Sequence, residues 1–342
     1  MSNNGTEANK TFFKKFTPFV IRDKPIGGLS EIITTAINST GTRIVYSRTD
    51  KTIRIWKSTA DSAVDPKIIQ DAHSRAVESI SFNPRTEYTF ATVGKDEFIK
   101  IWHAGTGQLL QEIKGQHDLL KLVRYSDDGK RLIVVDKLSN ILIYNCEMNY
   151  QFVHKFKLND HVYDLQWFHF KHKFFLTALN DGSILLFELG KSKNEETGEV
   201  ETVCKIRTRL EGHNSSITSL AVSPNRSFFC VGSSEGVISF WNCEETFINS
   251  HVITDVDQSI AQLDCSRDSS YIAVSYDTDS NSRIYDYDSA ELMYEVPNTE
   301  SGNQTFSSIT WFPSKTGFIC TTDGCTTLTL MRKPKDNRLG RR

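Results

Sequence analysis

The chain has 342 residues, and its 40 Lys and Arg nearly balance 42 Asp and Glu to give a formal charge of −2. With a balance so close to neutral, nothing in the overall charge calls for a nucleic-acid partner. Hydrophobic residues make up 38% and aromatics 11%, enough for a large core, but they come in short runs that fall far short of a bilayer span.

The first 15 residues, MSNNGTEANKTFFKK, are polar and lack the basic-then-apolar form of a leader, so they read as a disordered end of a soluble, unsecreted protein. FTPFVIRD (16–23) then reads as a strand with no hairpin partner nearby. Four runs follow over 26–70, ITTAIN, RIVYSR, TIRIW and KII, with Asp50 in a turn and Trp56 on the third strand. The stretch from Asp71 to Gly115 repeats this plan most clearly. Its runs AVESISF, YTFAT, FIKIW and LLQEI are separated by NPRTE, GKDE and HAGTGQ, which leaves room for four strands and no helix. Ile99 and Ile101 lie on one face of its third strand, Phe98 and Trp102 on the other. A sheet greasy on both faces needs a neighbour on each side, so the unit must recur.

It does recur. A third unit runs through KLVRYS, RLIVVD, ILIYN and QFVHKF with Tyr144 in the Trp position. A fourth runs through VYDLQWF, KFFLTAL and SILLFEL with Phe187 there, followed by a charged insertion at 190–201 expected to be a mobile loop. The fifth opens at Gly212-His213 and ends at Phe240-Trp241, and the sixth spans about 252–296 with Tyr285 in the Trp position. The seventh, QTFSSITWF, GFICTT and TLTLM, is one strand short, and the orphan strand at 16–23 would supply the fourth. Markers at 56, 102, 144, 187, 241 and 285 are spaced by about 46, 42, 43, 54 and 44 residues. The expectation is an all-β, seven-bladed propeller over 16–331, closed by its N-terminal strand, with a disordered basic tail at 332–342.

The seven cysteines are scattered and form no C-x-x-C pair, which argues for a reducing compartment and against zinc or a disulfide framework. His73, His117, His161 and His213 recur once per unit, each without a second ligand at helical or turn spacing, so no metal site is expected. His169 with His172, and the Asp277, Asp279, Asn281 series, have some of the spacing of metal ligands but lack a complete ligand set, and read as turn residues. No nucleophile elbow, P-loop or dinucleotide fingerprint occurs, and no cofactor or catalytic residue is assigned.

The segments HSRAVESISFNPRTEYTFATVGKDEFIKIWHAGTGQ, FKLNDHVYDLQWFHFKHKFFLTALNDGSILLFEL, and SAELMYEVPN with FSSITWFP resemble WD repeats, and most closely the small propeller subunit family of the THO complex of the TREX machinery. That resemblance implies a structural network in each blade, for which the matching residues are His73, Thr92, Asp96 and Trp102, with His117, His161, Asp181, His213 and Trp241 in other blades. It also implies a nuclear, non-catalytic subunit docked on the large helical THO subunits and serving transcription and mRNA export. A WD-repeat adaptor of a ubiquitin ligase or chromatin-modifying complex is the alternative. Arg48, Lys95, Asn180 and Ser234, just before the turn acids, are the candidate rim contacts, and the basic tail is a candidate for weak RNA contact.

Overall fold

The computed structural model describes residues 11–23, 28, 30–59, 62–115, 119–170, 172–193, 200–243, 247–277, 281–296, 307–314, 316–322 and 326–333. The chain begins with a helical turn at 11–13 and strand β1 (Thr17–Ile21). Blade one holds β2 (Ile32–Ile37), β3 (Arg43–Arg48), β4 (Ile53–Ser58) and β5 (Ala63–Ile69). Blade two holds β6 (Val77–Phe82), β7 (Thr89–Gly94), β8 (Phe98–His103) and β9 (Leu109–Lys114). Blade three holds β10 (Leu120–Tyr125), β11 (Arg131–Asp136), β12 (Asn140–Asn145) and β13 (Gln151–Lys157). Blade four holds β14 (Val162–Phe170), β15 (His172–Leu179), β16 (Ser183–Lys193) and β17 (Val200–Glu211). Blade five holds β18 (Ile217–Val222), β19 (Phe228–Ser233), β20 (Ile238–Asn242) and β21 (Ile248–Ile253). Blade six holds β22 (Ile260–Cys265), β23 (Tyr271–Tyr276), β24 (Arg283–Asp286) and β25 (Leu292–Glu295). Blade seven holds β26 (Ser308–Trp311), β27 (Gly317–Thr322) and β28 (Thr327–Arg332), and β1 completes it.

The closing pair is antiparallel, from Thr17 opposite Arg332 to Ile21 opposite Leu328. Every sheet is thus four-stranded, and the first strands of successive blades neighbour one another in a cycle that returns from β26 to β2. The core is divided accordingly into seven inter-blade layers. Ile99 and Ile101 pack toward blade three, while Trp102 on the other face packs toward blade one. The second and third strands are largely buried on both faces because a sheet lies against each, while the outer strands β5, β9, β13 and β21 are largely exposed.

Side chains also cross between blades to reach backbone N–H groups on the inner strands, which have no further strand to pair with. Ser79 accepts from Val123 (3.2 Å), Asp164 from Leu220 (3.0 Å), Ser219 from Leu263 (2.9 Å) and Asp264 from Trp311 (2.7 Å). An inner edge that would be a template for pairing is satisfied within the molecule.

Three boundaries differ from the sequence expectation. Residues 11–15 are not a disordered end: Phe13 is 1% exposed, and with Phe16 it fills the layer between blades six and seven against Trp311 and Phe318. The charged insertion is in part regular, since β16 and β17 stay paired from Leu189 opposite Cys204 to Lys193 opposite Val200; residues 194–199 lie outside the described region. Arg332, assigned to the tail, ends β28 and is buried, and residues 334–342 lie outside the described region. Among the described residues no helix is long and apolar enough to cross a membrane, and no disulfide is formed.

Candidate functional site

In five blades the turn after the second strand folds back on the start of the first. Thr49, Lys137, Asn180, Ser234 and Asp277 donate their N–H to the carbonyls of Glu31, Leu119, His161, Ser216 and Ser259 at 2.9–3.0 Å. This repeated bond gathers the second-to-third-strand turns and the blade openings on one rim. Glycine is required where the turn presses on the next blade: in the left-handed backbone at Gly182, a Cβ would stand 2.2 Å from the His213 carbonyl oxygen. Lys95, Asn180 and Ser234 lie on this rim, with Lys95 paired to Glu78 at 2.7 Å and Asn180 accepting from Ser216 at 3.0 Å. Arg48 is not a rim contact. It is 3% exposed, and its guanidinium is used by Asp23 (3.1 Å) and the carbonyls of Ser30 and Thr326. It sits one residue before the turn, and the last residue of the second strand faces inward.

The blade network is complete in blade two. The Trp102 indole N–H donates to Thr92 Oγ1 (2.8 Å), Thr92 bonds His73 Nε2 (2.8 Å), and His73 Nδ1 lies 3.0 Å from the Asp96 carboxylate. Every donor has an acceptor if His73 carries its proton on Nδ1. Burial acts to raise the Asp96 carboxyl, but the bond and charge interaction with His73 and the N–H groups of Phe98 and Ser74 outweigh it and hold the pKa at about 2. Blades five and one keep parts of this chain. In blade five Val231 replaces the threonine, and Ser239, paired with it across the ladder, supplies the hydroxyl for both Trp241 (3.0 Å) and His213 (2.7 Å). In blade one Trp56 donates to the Tyr46 hydroxyl (3.2 Å), Tyr46 to Asp23 (2.7 Å), and Asp23 holds Arg54, which reaches Asp50 at 3.3 Å.

Blade four is broken. His161 does not reach Asp181, whose carboxylate takes Ser183 and Arg209, and Phe187 has no N–H to offer Thr177, whose hydroxyl is buried without a hydrogen-bond partner. His161 turns instead to Lys121 Nζ at 3.2 Å. His117 lies outside the described residues, as do residues 278–280 and the side chains of His169 and His172.

A feature without a residue-type signature lines the channel mouth on the same rim. In six blades the first strand slips by one residue at its second position, so that Ile33, Glu78, Lys121, Tyr163, Thr218 and Ala261 each stand unpaired against the second strand. Each is at least partly exposed while the residue before it is buried. A bulge re-aims a side chain, and here six are re-aimed in a ring. Ile33 and Ala261 line a cavity of about 270 Å³ with Glu31, Gln262 and Asp277. Lys121 lies beside the Tyr163 ring, 4.8 Å from its centre. Among the described residues no group of three or more His, Cys, Asp or Glu comes together to hold a metal ion.

Two segments, 65–103 and 204–242, match the family described as WD domain, G-beta repeat. Each runs from the outer strand of one blade to the Trp-bearing strand of the next, so the sequence repeat and the blade are offset by one strand. THO complex subunit 3 of Arabidopsis thaliana is 20% identical over 288 residues, which cover 84% of this chain and 85% of that protein. WD repeat-containing protein AAC3 of Dictyostelium discoideum is 22% identical over 248 residues, 66% of this chain and 50% of that protein. The β-propeller domain of Cps50 (Swd1) from Myceliophteria thermophila superposes with a TM-score of 0.72 at 12% identity, covering 92% of this chain and 98% of that one. That likeness is one of fold alone.

Proposed function

We propose that this WD-repeat propeller is a non-catalytic scaffold subunit of the THO complex, acting in the nucleus by docking on the large helical THO subunits to support transcription elongation, mRNP packaging and mRNA export. The observation that carries the reading is the likeness to the Arabidopsis subunit, which runs over nearly the whole of both chains rather than over one blade. The geometry agrees with a docking role: in blade two the His, Asp and hydroxyl groups that could do chemistry are spent on one another inside the sheet, while the rim offers preformed polar surface.

Affinity purification of the tagged chain from nuclear extract, followed by mass spectrometry, tests it. The large THO subunits are expected in near-stoichiometric yield, and nuclease treatment separates protein contact from any tethering by RNA. Recovery of ubiquitin-ligase or chromatin-modifying subunits in their place would replace this reading by an adaptor role.

A further inference from the structure

Among the described residues, Lys121 is a cation without a paired anion. It is the bulged residue of β10, and its ammonium is surrounded by His161 Nε2 (3.2 Å), the Val162 carbonyl (3.2 Å) and the face of Tyr163. Among the described residues no carboxylate lies within ion-pair distance of it. The two that act on it from further off are already committed, Glu78 to Lys95 at 2.7 Å and Asp164 to Arg124 at 3.2 Å. Burial lowers the Lys121 pKa against the pull of those carboxylates, with Lys137 adding to the effect, and His161 is lowered too, by burial and then by Lys121. A half-buried ammonium that leans on an imidazole, a carbonyl and a ring is short of one partner.

We propose that Lys121, set by its bulge between His161 and Tyr163 at the channel mouth, is the contact that takes an Asp or Glu side chain of a protein partner. The surroundings select one carboxylate rather than a phosphate backbone. The ammonium is half-buried among the Tyr163 ring, His161 and the Val162 carbonyl, a setting that suits a single side chain entering at one point, and the nearest acids, Glu78 and Asp164, are already neutralised by Lys95 and Arg124. The neutral donors and acceptors beside it, Tyr163 bonded to Asn180 (3.3 Å) and Ser216 bonded to the same amide, give such a segment polar backbone partners.

The contact is tested in the native assembly purified through the wild-type chain, the one expected above being the THO complex. A zero-length carbodiimide joins an amine to a carboxylate it already touches, and mass spectrometry is expected to find Lys121 linked to an Asp or Glu of another chain. An acylating reagent should label Lys121 at least about tenfold more slowly in the assembly than in the free chain, the protection expected of a desolvated interface lysine. Lys121→Glu should weaken retention of the linked partner by at least about thirtyfold and Lys121→Met should weaken it as well, while Lys121→Arg retains it. Thermal unfolding of each variant separates a lost contact from a lost fold. Links only to the chain's own Glu78 or Asp164, equal labelling in both states, wild-type retention by Lys121→Glu, or photo-crosslinking of Lys121 to RNA would each overturn the proposal. If the wild-type chain recovers no THO subunit, the assembly reading fails by itself, and the same carbodiimide result is read on the assembly that is recovered.

Discussion

Thr92 and Thr177 occupy the same place in their blades, two residues beyond Phe90 and Phe175, which face the Trp-position residues Trp102 and Phe187. One hydroxyl joins a tryptophan to a histidine; the other is buried with nothing to bond. Replacing each by valine removes the same atom with opposite consequences. Thr92→Val should cost about 1–3 kcal/mol because it strands the His73 and Trp102 nitrogens, while Thr177→Val should be neutral or stabilising by up to about 1 kcal/mol. Urea denaturation of the two variants checks the contrast, and equal losses would show that the network contributes nothing. Asp96 adds a pH signature. Its folded pKa of about 2 lies below the ordinary 3.8, so its stabilisation is fully present above that value and is lost as pH falls through the folded pKa. The stability gap between wild type and Asp96→Asn, on the order of 2 kcal/mol at neutral pH, should therefore narrow between about pH 4 and pH 2.

At the scale of elements, β1 does more than fill a place in blade seven. Asp23, two residues beyond its end, enters blade one and holds Arg48 and Arg54, which are 3% and 1% exposed. The residue that follows the closing strand thereby ties the last blade to the first through charge as well as through the ladder. Asp23→Ala should cost about 3–5 kcal/mol, because two buried guanidinium groups lose their common carboxylate. Pairing it with Arg54→Met should recover part of that loss in chemical denaturation, and strict additivity would argue against the shared site. The offset between repeat and blade makes the same point in the other direction: each matched segment supplies strands to two sheets, so a repeat cut out at its own boundaries would lack one strand of its blade.

The whole molecule is a cycle of seven sheets, each hiding its two faces against its neighbours, and its stability is that of closure rather than of any one blade. Removing residues 1–23 deletes β1, the Phe13 and Phe16 side chains packed between blades six and seven, and Asp23 at once. The expected result is self-association through the exposed β28 edge, seen by light scattering on a size-exclusion column as loss of the monomer peak. A truncated chain that stays monomeric with unchanged unfolding would show that the ring closes without its clasp.

Strand period, turn chemistry and marker spacing are local properties, and they were enough to read off a seven-bladed ring and the missing fourth strand of the last blade, because each follows from residues within one unit; the His73, Thr92, Asp96, Trp102 set entered only through the resemblance to WD repeats. What depends on contact between units was not legible. No residue type marks a bulge, so the ring formed by Glu78, Lys121, Tyr163 and their counterparts appears only once the strands are in register. The same holds for Asp23 serving Tyr46 and Arg54, and for Phe13, a residue in a polar stretch whose burial is decided by blades nearly three hundred residues away. Sequence determines which faces must be covered; only the closed ring decides what covers them, since that choice is made by neighbours brought together at the two ends of the chain.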